Sequence, residues 1–76
     1  MQVSTIYNGT LIAGVVVTHS PYFLEVTITS PFANLSASRR ISARAHNCQR
    51  FEGDYLERQG VSILVELYEL ANNYLT

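Results

Sequence analysis

A thiol nucleophile needs a base to take its proton and a third group to orient that base. The chain offers one cysteine, Cys48, with His46 two residues before it and His19 far upstream. Nothing in the spacing fixes either imidazole, so Cys48 is read as a small, chemically idle residue. With Glu52 and Asp54 these side chains are ligand types that zinc accepts. Yet His46-Asn47-Cys48 lacks the Cys-x-x-Cys or His-x-x-x-His spacing that presents two ligands to one ion. Nucleophile elbows, glycine-rich phosphate loops and paired carboxylates are missing too, and four scattered glycines make no nucleotide cradle. The expectation is a protein that is not an enzyme, with no metal site, no cofactor and no small-molecule substrate.

Charge is the stronger signal. Residues 1–25 carry only Glu25, residues 26–51 carry four arginines and no acid, and residues 52–76 carry five acids against Arg58. Lysine does not occur, so every fixed cation is a guanidinium, suited to bidentate and stacked contacts. Arg39, Arg40, Arg44 and Arg50, with Ser42 and His46, form a segment that could meet phosphates or an acidic partner, aided by aromatics such as Phe23 or Phe32. The competing reading is structural. An arginine strand beside an acidic helix can pair with Glu52, Asp54, Glu57, Glu66 or Glu69, and a pI of about 6.0 is unlike the basic balance of most nucleic-acid binders.

The elements that must position these groups follow from periodicity. Asn8-Gly9 separates two β-rich segments and fits a type I′ hairpin turn, which gives strands at about 2–7 and 10–18. The second is apolar on both faces from Leu11 to Val17, as expected of a central strand covered on each side or at an oligomer contact. Ser20-Pro21 ends it. From Tyr22 to Thr29 the chain alternates, with Tyr22, Leu24, Val26 and Ile28 toward a core and Phe23, Glu25, Thr27 and Thr29 away from it. Residues 31–38 read as a loop and Arg39–Ala45 as a fourth strand with Ile41, Ala43 and Ala45 inward.

Asp54-Tyr55-Leu56-Glu57 has an acidic N-cap with glutamate three residues on. Leu56, Gly60, Ile63, Leu67, Leu70 and Tyr74 then follow at spacings of 4, 3, 4, 3 and 4, a helical stripe that Leu64 and Ala71 widen. A helix over about 55–74 is predicted, with Gly60 its weak point. The fold class is α+β: an antiparallel meander of three to four strands packed against one C-terminal helix, as a single domain over residues 1–76.

Composition points to association. In 76 residues 47% are apolar and 14% charged, well below the ~25% charged fraction usual in globular domains. Apolar surface left on so small a body marks an interface. The expectation is a soluble cytoplasmic interaction module, a homo-oligomer or the partner of another protein, with no membrane span because Leu11–Val17 is far short of the ~18 residues needed. Its contact surface is expected on the face of the sheet away from the helix, with Ile12, Val16 and Phe23 as interface candidates. The alternative is a small nucleic-acid-binding regulator that uses the Arg39–Arg50 segment. A lone cysteine agrees with a reducing compartment.

Overall fold

The computed structural model describes residues 1–20, 23–41 and 52–75. Four strands, β1 (Gln2–Tyr7), β2 (Thr10–Ser20), β3 (Phe23–Ser30) and β4 (Leu35–Arg40), form an antiparallel meander in the order β1-β2-β3-β4. One helix, α1 (Glu52–Leu75), packs on one face. The α+β meander with a C-terminal helix is thus the observed architecture. No helix among the described residues is long and apolar enough to cross a membrane.

Local chemistry accounts for the turns. Asn8 and Gly9 both have positive φ, 51° and 80°, the conformation that a two-residue type I′ turn demands and that asparagine and glycine tolerate. Tyr7 pairs with Thr10, and the register runs without a shift to Gln2 opposite Val15. Between β3 and β4, Asn34 takes a φ of 70° and donates its N–H to the Ile28 carbonyl at 3.2 Å, which closes the β3–β4 hairpin.

Two boundaries depart from the sequence expectation. The fourth strand begins at Leu35, inside the segment read as a loop, and pairs Ile28 with Leu35 and Phe23 with Arg40. Leu35 and Ala37 are half-buried against the core while Ser36 and Ser38 are exposed, so the alternation exists. Its serines and alanine carry too little apolar contrast to announce it. Ile41 is buried as expected, while residues 42–45 of the expected strand lie outside the described residues. The helix starts at Glu52, which puts Asp54 inside it instead of at the cap.

The even-numbered residues of β2 and β3 supply the core. Ile12, Val16, Leu24, Val26 and Ile28 are buried together with Val3 and Ile41 under Ile63, Leu64, Leu67 and Ala71 of α1. This corrects the placing of Ile12 and Val16 at an interface. The apolar character of β2 on both faces left its phase open, and the pairing Val16 opposite Val26 puts these two residues under the helix.

Gly60 is where α1 comes closest to β1 and β2. A Cβ at this position would stand 2.6 Å from Val16 Cγ2 and 3.3 Å from Val3 Cγ2, so the absent side chain lets the helix settle onto the two strands. Alanine raises intrinsic helix propensity by up to ~1 kcal/mol, but overpacking a core costs about 1–3 kcal/mol. Gly60→Ala is therefore expected to lower stability by about 1 kcal/mol in a denaturant titration. Val16→Ala in the same chain removes the obstructing methyl, and the pair is expected to cost less than the sum of the single changes. Strict additivity would contradict the contact.

Candidate interaction surface

With α1 on one side of the sheet, the odd-numbered residues of β2 and β3 and the even-numbered residues of β1 and β4 face the other. Four large apolar side chains stand out there. Ile6 is 73% exposed, Leu11 59%, Phe23 47% and Val17 45%. Ile6 is paired with Leu11 across the first hairpin, and the half-buried Ala13 and Val15 continue the apolar strip along β2 toward Val17. Serine and threonine residues of β1, β3 and β4 flank the strip.

Among the described residues the charges on this face are few. His19 Nε2 lies 3.4 Å from Glu25 Oε1, a pair that is ionic only when the imidazole is protonated. Arg40 stands opposite Phe23 in the register. Of the sequence-predicted interface residues, Phe23 lies on this face, whereas Ile12 and Val16 are in the core. Leu11 and Val17, their neighbours in β2, occupy the exposed positions instead.

The two described arginines of the basic segment, Arg39 and Arg40, do not share a surface. Leu24 is opposite Arg39 and Phe23 opposite Arg40, so the two guanidiniums leave the sheet on opposite faces. Arg39 is on the helix side, where it donates to the Glu66 carboxylate of α1 and to the Ser38 carbonyl at 3.0 Å. This is the intrachain pairing expected of an arginine strand beside an acidic helix. Arg44, Arg50, Ser42, His46 and Cys48 lie outside the described residues. Among the described residues no cluster of histidine, cysteine, aspartate or glutamate could hold a metal ion.

Two features at the hairpin end of the molecule join residues too distant in sequence for periodicity to link. Pro31, Phe32, Ala33 and Leu35 stand off from Leu70, Ala71 and Tyr74, leaving an apolar groove of about 620 Å³. The stripe of α1 therefore ends its burial at Ala71. Leu70 and Tyr74, expected to cover the sheet, are 61% and 89% exposed.

Beside the groove, Tyr68 packs edge-on to Tyr7 with ring centroids 5.9 Å apart and lies 5.8 Å from Phe32. The Tyr7 hydroxyl donates to the Glu69 carboxylate, and this bond, with desolvation and the negative charge, holds the phenol above its ordinary value of 10.0. Hydrogen bonds with the Thr10 and Asn72 side chains hold the Tyr68 phenol below it.

The linkage has opposite signs at the two tyrosines. The Tyr7 contribution to stability is fully present below its unfolded value and is lost as pH rises through the raised one. That of Tyr68 is present above its unfolded value and is lost as pH falls through the lowered one. In an NMR titration of the tyrosine Cζ resonances, Tyr68 is expected to ionise before Tyr7. Glu69→Ala should bring Tyr7 back toward its ordinary value; Tyr7 leading Tyr68 in the unmodified chain would contradict the geometry.

Comparison with protein-family models, curated proteins and solved structures finds no match for this chain.

Proposed function

We propose that this chain is a non-enzymatic cytoplasmic interaction module that associates with a second copy of itself through the open face of its sheet. The observation that carries the reading is the strip Ile6, Leu11, Val17 and Phe23, each large, apolar and at least 45% exposed on a sheet face that α1 leaves uncovered. Burying apolar area is worth about 25 cal/mol per Å², and an antiparallel sheet normally offers water a polar outer face.

Size and charge favour a second copy as the occupant. The molecule measures 40 × 20 × 15 Å, so its broad face is of the order of the ~800 Å² per partner that a standard interface buries. A two-fold contact places a surface against itself and needs charges that balance within it. Among the described residues of this face, Glu25, His19 and Arg40 provide one carboxylate, one imidazole and one guanidinium, with no excess of either sign for a strongly charged partner to read.

Light scattering on a size-exclusion column tests this. The mass is expected to rise above one copy at micromolar concentration and to stay the same when short single-stranded RNA or DNA is added at low salt. A single-copy mass at high micromolar concentration contradicts the reading. Salt-sensitive co-elution with the nucleic acid would transfer the function to Arg40 and the arginines beyond it.

A further inference from the structure

We propose that the outer edge of β1 is a second contact surface, and that its occupant is β1 of another copy, paired antiparallel about Ser4. The proposal rests on the reading that the chain self-associates, but it uses a different surface. Met1 and Val16 exchange both backbone bonds, at 2.7 Å from the Val16 N–H and 3.0 Å from the Met1 nitrogen. In an antiparallel ladder such doubly bonded pairs alternate with unbonded ones. With the unshifted register, Val3, Thr5 and Tyr7 therefore turn their N–H and C=O groups to β2, and Gln2, Ser4 and Ile6 turn theirs outward. Among the described residues no strand pairs with that side.

An edge of this kind is a template for another strand, and proteins ordinarily blunt it with charge, proline, a bulge or a short strand. β1 has none of the first three: Gln-Val-Ser-Thr-Ile-Tyr is uncharged and free of proline, and its register with β2 is continuous over six residues. β4, at the other edge, carries Arg39 and Arg40.

The outward groups of β1 are self-complementary. Two copies related by a two-fold axis through Ser4 place Ser4 opposite Ser4 and Gln2 opposite Ile6, and each facing pair exchanges both backbone bonds. The small serines meet on the axis, and the glutamine stem covers Ile6, the most exposed of the apolar strip residues. This axis is perpendicular to the sheet, so both copies keep their helices on one side and their open faces join into one surface. The face contact can then pair two such eight-stranded sheets.

Amide exchange followed by NMR separates the two contacts. At a concentration about 100 times the dissociation constant, the Ser4 and Ile6 amides are expected to exchange roughly tenfold more slowly than after dilution to single copies. The same slowing is expected in a Leu11→Glu/Val17→Glu chain, whose face contact is broken. Ser4→Pro removes an N–H that makes no bond within its own sheet, so the fold persists while the slow exchange at Ile6 is lost and the mass is halved.

Fast exchange at Ser4 and Ile6 in a chain whose mass still responds to Leu11→Glu/Val17→Glu would overturn the edge contact and leave the face contact standing. Slow exchange at both amides with no response to the face substitutions would do the reverse.

Discussion

Gly14→Val is expected to cost about 3 kcal/mol or more. Gly14 sits in β2 opposite Ile28, on the side that receives α1. A Cβ there would penetrate the fully buried Leu64 side chain and approach the Thr27 carbonyl oxygen to 2.6 Å. The second obstruction decides the size of the effect. A side-chain tip can rotate away, but the Thr27 carbonyl belongs to the neighbouring strand and moves only if the β2–β3 ladder opens. Valine adds two further methyl groups to the same gap.

Overpacking costs about 1–3 kcal/mol where side chains can adjust, and a backbone obstruction belongs at the upper end or beyond it. Set against a total stability of roughly 4–11 kcal/mol for a domain of this size, the loss is large. The melting temperature should fall by about 4–8 °C for each kcal/mol. Leu64→Ala in the same chain should not restore stability, because the carbonyl remains. That distinguishes Gly14 from Gly60, where the nearest atom is a valine methyl. A Gly14→Val chain as stable as its parent in guanidinium titrations would contradict the close approach.

Much of this architecture was legible before any coordinates. Asn8-Gly9 marked the first hairpin because few residue pairs accept positive φ twice, and the alternation through Leu24, Val26 and Ile28 fixed the inward face of β3. The helix followed from its stripe, and the reason for a glycine inside it emerged only when Val16 and Val3 were seen beneath Gly60. Where physical contrast was weak, sequence reading slipped. Leu-Ser-Ala-Ser has an alternation too shallow to separate a strand from a loop, so the pattern alone starts β4 at Arg39 and not at Leu35.

The candidate surface was half legible. Its location on the side away from the helix followed from the excess of apolar residues in β2. The identities Ile12 and Val16 were a phase error, because when every position is apolar a one-residue slip changes the face and leaves no mark in the pattern. Phe23 was legible because Glu25, Thr27 and Thr29 share its parity. The apolar groove and the Tyr7–Tyr68–Phe32 contacts depend on residues brought together by the meander, and one-dimensional spacing holds no trace of them.

Leu11→Glu/Val17→Glu is the second large effect. Both side chains project from β2 into the exposed strip and take no part in the buried core, so the single copy should remain folded. Exposed strand substitutions cost up to ~1 kcal/mol through β propensity. Association is a different matter. Two carboxylates on each copy would have to shed water against an apolar partner surface, and the two-fold relation would bring four of them together. The dissociation constant is expected to rise at least about 100-fold, equivalent to about 2.7 kcal/mol. A Thr27→Glu chain, changed on the same face beside the strip, should show a smaller rise.

Sedimentation equilibrium of the parent chain beside the Leu11→Glu/Val17→Glu chain, at matched micromolar concentrations and with circular dichroism to verify the fold of both, tests self-association through the sheet face most directly. The account predicts a folded variant with half the mass of the parent. Equal masses from two folded chains would contradict it.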